Sequence, residues 1–322
     1  MSRFRRVIAL LLTATALSAA PAWERLAALP IGNGGFITAS IAGDVVIAGG
    51  TTWQGDVKAW LNQIWVYEPA RNTWRAAGRL EVPLAYAVTG HGPDISWFAG
   101  GSSGQETHRA LWKIEKGLVP QRIATLEPGI VYAAGGRIGP KLYVVGGSDD
   151  QGALERVGSR FFAFDLKTGA ATRLADYPEA GLMTGTAAAV GDNLYVFGGA
   201  RWDAEKKAAV NYASAHTYSI VTSQWTALPP LPHPGRGYTA VALDDRHIFI
   251  AGGYRNDVVE FVADAYLFDV KSGKYTPSTP LPYAAMVGLV QNGDWLYCLG
   301  GEDRKKHRTD AAFRIRWREL LR

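Results

Sequence analysis

Apolar residues along this chain fall in short runs, each closed by a pair of glycines. "VVIAGG" ends at Gly50, "SWFAGG" at Gly101, "LYVVGG" at Gly147, "LYVFGG" at Gly199, "IFIAGG" at Gly253 and "LYCLGG" at Gly301. Apolar runs this short, bounded by glycine, read as buried β-strands. Ahead of each run lies a stretch of small residues, such as "GFITASIAGD" or "TGTAAAVGD", and a tight turn. Beyond each glycine pair a variable loop leads to an alternating stretch: "QIWVYEP", "ALWKIEK", "FFAFDLK", "HTYSIVT", "AYLFDVK" and "AAFRIRW". A fourth strand often carries an aromatic, Trp74, Trp225 or Tyr275. Arg173 replaces it in the third unit, and the second, "VPQRIATL", lacks one.

The glycine pairs recur at intervals of 46 to 54 residues. A double-glycine period near ~50 resembles the kelch repeat, one four-stranded propeller blade per unit. Small side chains suit the innermost strand, where blades converge on the axis. The sixth unit has a third strand but no fourth, while "WERLAALP" near the N-terminus matches the fourth strand "QWTALPPLP". The expected fold is therefore all-β, a six-bladed kelch β-propeller over residues 23–322 whose N-terminal strand closes the last blade.

The first 22 residues follow another pattern: a basic start ("MSRFRR"), an apolar run ("VIALLLTATAL") and an A-P-A end. That is the layout of a secretory signal peptide cleaved after Ala22, which implies export to a periplasm. Its removal takes away Arg3, Arg5 and Arg6, so the formal charge of +5 falls to +2. The remaining charges are mixed along the chain. Neither a nucleic-acid partner nor a membrane partner after cleavage is expected, and the protein is expected as a monomer or weak dimer. Cys298 is the single cysteine and lies inside an apolar strand, which reads as an inert thiol and excludes cysteine-rich metal sites. The six histidines are scattered along the repeats without ligand spacing, so no metal and no cofactor is expected.

In a propeller, the loops after the glycine pairs open on one face around the central channel, the default ligand site. They are rich in polar groups, among them Arg201, Arg255, Glu302 and Arg308, while Tyr86 and Arg236 approach from the other loop set on that face. Asp264 and Asp310 repeat a column position and read as structural. Trp53, Trp60 and Trp202 at the loop tips leave open a non-catalytic propeller that grips a glycan or protein.

"GEDRKKHRTDA", from Gly301 to Ala311, is similar to a motif of the sialic-acid mutarotases (N-acetylneuraminate epimerases), and the first repeat through "PLAYAV" resembles their circularly permuted branch. The resemblance implies an isomerase that interconverts α and β anomers of N-acetylneuraminate or a related acidic sugar, with Glu302 and Arg308 catalytic. Ring opening needs a base for the anomeric hydroxyl and an acid for the ring oxygen. Glu302 suits the base and Arg308 the substrate carboxylate, the two facing one another across the channel mouth. Arg236, Arg201 and Arg255 are further candidates for the clamp, and Tyr86, His307 or water for the acid. Lys305, Lys306 and Arg304 read as a solvated loop tip.

Overall fold

The computed structural model describes residues 22–321, and the expected signal segment lies outside them apart from Ala22. The strands form six four-stranded antiparallel sheets and two additional hairpins. Blade 1 runs outward through Ile37–Ile41, Asp44–Ala48, Gln63–Glu68 and Thr73–Arg79. Blade 2 comprises Val88–Gly92, Ile95–Ala99, Ala110–Glu115 and Gln121–Thr125. Blades 3, 4 and 5 occupy residues 134–173, 186–228 and 239–277. Blade 6 takes Met286–Asn292, Trp295–Glu302 and Ala312–Arg316 from the C-terminal end, and Glu24–Arg25 as its outer strand.

The closure expected from the sequence is present. Glu24 pairs with Arg314 and Arg25 with Phe313. Leu26 N–H donates to Ala312 O at 2.9 Å and Leu29 N–H to Asp310 O at 2.8 Å, so the contact continues beyond the two-residue ladder. Leu29 then buries its side chain among Val45, Tyr67 and Leu299, bridging blades 6 and 1.

No blade has a core of its own. The large apolar clusters are wedges between adjacent blades: Ile64, Val66, Phe98 and Ile114 between blades 1 and 2, for example, and Phe249, Leu267, Leu296 and Ile315 between blades 5 and 6. Each sheet buries both faces only when both neighbours are in place, so the ring is one cooperative unit. Cys298 is fully buried in the last of these wedges, where burial pushes its thiol up to about 12.

The outer strands add a repeated lock. Tyr67 faces Trp74, Tyr218 faces Trp225 and Phe268 faces Tyr275, while Trp23 stands one step beyond the Glu24–Arg314 pair. Each of these four rings donates its N–H or O–H to a backbone carbonyl at the end of the preceding blade. Trp74 reaches Ala27 at 3.0 Å, Trp225 reaches Ala175 at 3.0 Å, Tyr275 reaches Pro229 at 3.0 Å and Trp23 reaches Pro280 at 2.8 Å. The same register corrects one sequence expectation. Phe164 faces Ala171, so Ala171 holds the lock position in blade 3. Arg173 lies opposite Phe162 and covers that ring, with its guanidinium carbon 5.2 Å from the centroid.

Around the axis the inner strands are preceded by a collar of left-handed residues: Gly35, Tyr86, Tyr132, Thr184 and Gly237. Tyr86 N–H donates to Gly35 O at 2.8 Å, Thr184 N–H to Tyr132 O at 2.8 Å and Gly237 N–H to Thr184 O at 2.7 Å. Blade-to-blade hydrogen bonds thus hold non-glycine residues in a conformation that costs about 1–2 kcal/mol each. Beyond the collar the inner strands line a channel of about 760 Å³.

If Leu29 seals the ring, Leu29→Ala should destabilise the protein by about 2–5 kcal/mol, seen as a lower denaturant midpoint in one transition. An unchanged midpoint would show that the ring does not need this closure.

Candidate functional site

The site lies where blades 6 and 1 meet, on the collar side of the channel. The second strand of blade 6 ends at Glu302, immediately after the glycine pair. Gly301 has φ +108, and a Cβ there would lie 2.3 Å from Met286 O, so only glycine lets the chain turn away from the axis here. The loop then folds back on itself. Arg304 and His307 form a bridge, and Thr309 N–H returns to Gly301 O at 3.0 Å. This return places Arg308 beside Glu302, with Nη1 3.0 Å from Oε2. The two were expected to face one another across the mouth; the folded-back loop makes them a direct ion pair.

Arg308 is the most buried charged group of this site, with a side chain only 4% exposed. Its remaining contacts come from around the seam. Nε donates to Thr51 Oγ1 at 3.3 Å, Nη1 also to His307 O at 3.0 Å, and Nη2 to Tyr86 O–H at 3.4 Å. A guanidinium has five N–H groups, and three of these are hydrogen-bonded, with Glu302 as the ion-pair partner. The Arg308 side chain, almost wholly buried, is thereby engaged by the protein's own groups. Room for the side chain exists because residue 34 is glycine: a Cβ there would stand 2.6 Å from Arg308 Cδ.

Tyr86 is the meeting point of two cations. Lys58 Nζ donates to its hydroxyl at 2.7 Å and lies 4.7 Å from the centre of the Trp60 ring. Lys58 and Trp60 come from the hairpin Thr51–Gln54/Val57–Trp60, and Trp60 meets the Tyr86 ring edge-on at 5.8 Å. Burial pushes the Tyr86 phenol up, but the Lys58 ammonium and Arg308 guanidinium outweigh it and hold the phenol below its ordinary value. Tyr132, its counterpart in the next blade 5.6 Å away, has no such cations; burial and the charge of Tyr86 push it up to about 12. Two phenols at equivalent collar positions are thus driven in opposite directions.

The other candidates lie elsewhere. Arg236 stacks 4.6 Å from the centre of the Tyr254 ring and donates to Asn211 Oδ1 at 2.8 Å. Arg255 is engaged by Asp264, which gives that aspartate a partner as well as its column position. Arg201 is exposed on the hairpin strand Ala200–Asp203 of blade 4. His307 is held by Asp303 at 2.5 Å. Lys305 and Lys306, read from sequence as a free tip, reach sideways to Asp257 at 3.3 Å and Asp56 at 2.7 Å, tying the loop to blades 5 and 1. Sequence reasoning missed Lys58 and Thr51. The usable signal was strand alternation: two residues apart on one strand, Lys58 and Trp60 share a face.

Residues 132–319 match the KLHDC2/KLHL20/DRC7 Kelch-repeats domain, and the chain belongs to the kelch-repeat family. Among curated proteins it is similar to Kelch-like protein 40a of Danio rerio, 28% identical over 36% of this chain and 19% of that protein. It is also similar to the N-(sulfonatooxy)prop-2-enimidothioate sulfolyase of Thlaspi arvense, 28% identical over 36% of this chain and 33% of that protein. A third relative is the N-acetylneuraminate epimerase of Salmonella paratyphi B, 22% identical over 51% of this chain and 52% of that protein. The chain thus spans about a fifth to a half of the length of these relatives.

The packing at Gly34 carries a direct test. Gly34→Ala should force Arg308 aside and cost about 1–3 kcal/mol in denaturant unfolding. Gly158→Ala, where a Cβ meets nothing within 4 Å, is the control and should be close to neutral. Equal midpoints for the two variants would mean that Arg308 is not wedged as described.

Proposed function

We propose that the protein is a mutarotase acting on N-acetylneuraminate or a related acidic sugar, with Glu302 as base and Tyr86 as acid. The observation that carries this reading is one nearly buried guanidinium holding both a carboxylate, at 3.0 Å, and a phenol, at 3.4 Å. The similarity to an N-acetylneuraminate epimerase supports it, while the similarity to a Kelch-like protein keeps a non-catalytic glycan- or protein-binding propeller as the second reading.

Such a substrate is a cyclic ketose with a carboxylate on its anomeric carbon. Glu302 takes the proton of the anomeric hydroxyl as the bond from the anomeric carbon to the ring oxygen breaks, and Tyr86 gives its proton to that oxygen. The open chain carries a ketone, which turns about the bond to the next carbon. Closure on the other face runs the transfers backwards, returning both groups to their starting states. No electrons are exchanged and no group leaves. A phenol made more acidic by Lys58 and Arg308 is a better proton donor than an ordinary tyrosine. Arg308 orients both partners. The carboxylate clamp falls to Lys58, half-buried at the mouth and without an acidic partner among the described residues. Arg236 is the second cation for that role.

The test is anomer-resolved proton NMR on freshly dissolved β-N-acetylneuraminate. Wild type should speed the approach to anomeric equilibrium. Glu302→Gln and Tyr86→Phe should each lower kcat by about 10²-fold or more, and Lys58→Ala should act mainly on KM. The alkaline limb of the wild-type pH profile should fall below the ordinary tyrosine range and vanish in Tyr86→Phe. Wild type that leaves the exchange of acidic sugars unaltered would hand the site to the binding reading.

A further inference from the structure

The interblade aromatic lock is absent from two blades, and the two cases differ. In blade 3 the position is Ala171, and the gap is closed by approach of the neighbouring turn: a Cβ on Gly169 would lie 2.0 Å from Ala124 Cβ of blade 2. In blade 2 the Lys113–Gln121 pair puts Pro120 at the lock position, opposite Ile114. Here Leu118 of the turn packs against the interface cluster, and a cavity of about 310 Å³ remains between blades 1 and 2. Its apolar wall includes Leu80, Phe98 and Trp112, with Val82 at the edge, while Glu106, Arg109 and Arg122 bring charged groups to it.

The repeat itself says what fits. Leu80 is the counterpart of Leu29, Tyr177, Leu231 and Leu281. In the four locked interfaces these residues share a cluster with Trp74, Trp225, Tyr275 and Trp23 respectively. Trp112 lies parallel to Phe98 at 6.3 Å, 9° between planes, which adds an aromatic wall. Val82, 39% exposed, carries the apolar surface to the cavity's edge. The volume is at the lower end of the roughly 300–1,000 Å³ of small-ligand pockets. Residues 1–21 contain neither tryptophan nor tyrosine, so that segment does not supply the ring.

We propose that this notch is a docking site for an aromatic side chain, tryptophan or tyrosine, borne by a partner polypeptide. The ring enters between blades 1 and 2 as the protein's own rings enter the four locked interfaces, with Leu80 and Trp112 as its main contacts. A single buried aromatic with a polar rim around it is a usual anchor of a protein interface. The proposal rests on the repeat register and is independent of the reaction assigned to the channel mouth.

The experiment is saturation-transfer proton NMR on the full chain with N-acetyl-tryptophanamide, with N-acetyl-leucinamide as the aliphatic control. The indole protons should show saturable transfer and the leucine methyls none. Pro120→Trp, which supplies the missing ring in place, and Val82→Lys, which puts a charge at the edge, should each reduce the indole signal by at least about fivefold. Should Pro120→Trp fail to fold, Val82→Lys alone decides. Absence of saturable indole transfer, equal transfer to leucine, or a signal that survives both substitutions would overturn the proposal.

Discussion

The mouth of this propeller is organised by one buried positive charge. A guanidinium out of water must be paired and hydrogen-bonded, or its desolvation is not offset. Arg308 meets that demand with groups from around the closing seam: Glu302 and the His307 carbonyl from its own loop, Thr51 from blade 1, and Tyr86 from the segment entering blade 2. The seam is also where the first and last strands of the described residues meet. Gly32 and Gly34, just after the N-terminal strand, pass so close to Arg308 that a Cβ at Gly32 would strike its backbone and one at Gly34 would displace its side chain. Closure of the ring and placement of the charge are therefore one event. The lysine pairs on either side of the loop are exposed and contribute little energy, but they limit where the loop can go.

The same constraint explains the unusual backbone at the site. Tyr86 has φ +63, which in isolation would suggest strain stored for catalysis. Tyr132 and Thr184 hold equivalent left-handed positions at φ +62 and +48. The conformation belongs to the collar that five of the six repeats help to build. What distinguishes Tyr86 is its company, Lys58 at 2.7 Å and Arg308 at 3.4 Å.

The architecture was legible because each blade repeats its own pattern. Glycine pairs, small inner strands and the match of "WERLAALP" to an outer strand are local signals, and they led to the six blades and their closure. The aromatic column was misread in blade 3, where Arg173 stands two residues beyond the lock position. A count from the third strand would have corrected it, since Tyr67 to Trp74 and Phe164 to Ala171 have the same spacing. The site was legible only as a set of residues. That Glu302 and Arg308 pair directly depends on a loop folding back, and that Arg255 is engaged by Asp264 depends on a neighbour nine residues away. Lys58 escaped notice because a lysine in a surface hairpin looks like any solvated charge until its partner is known.

The central claim is that Lys58 and Arg308 acidify the phenol of Tyr86, and its ionisation can be followed directly. The measurement is the tyrosinate ultraviolet difference titration of wild type against Tyr86→Phe, repeated in a Lys58→Met background. The account predicts one phenol that ionises below the ordinary tyrosine value of about 10 and moves upward when Lys58 is replaced. A phenol that titrates at or above that value, indifferent to Lys58, would contradict it.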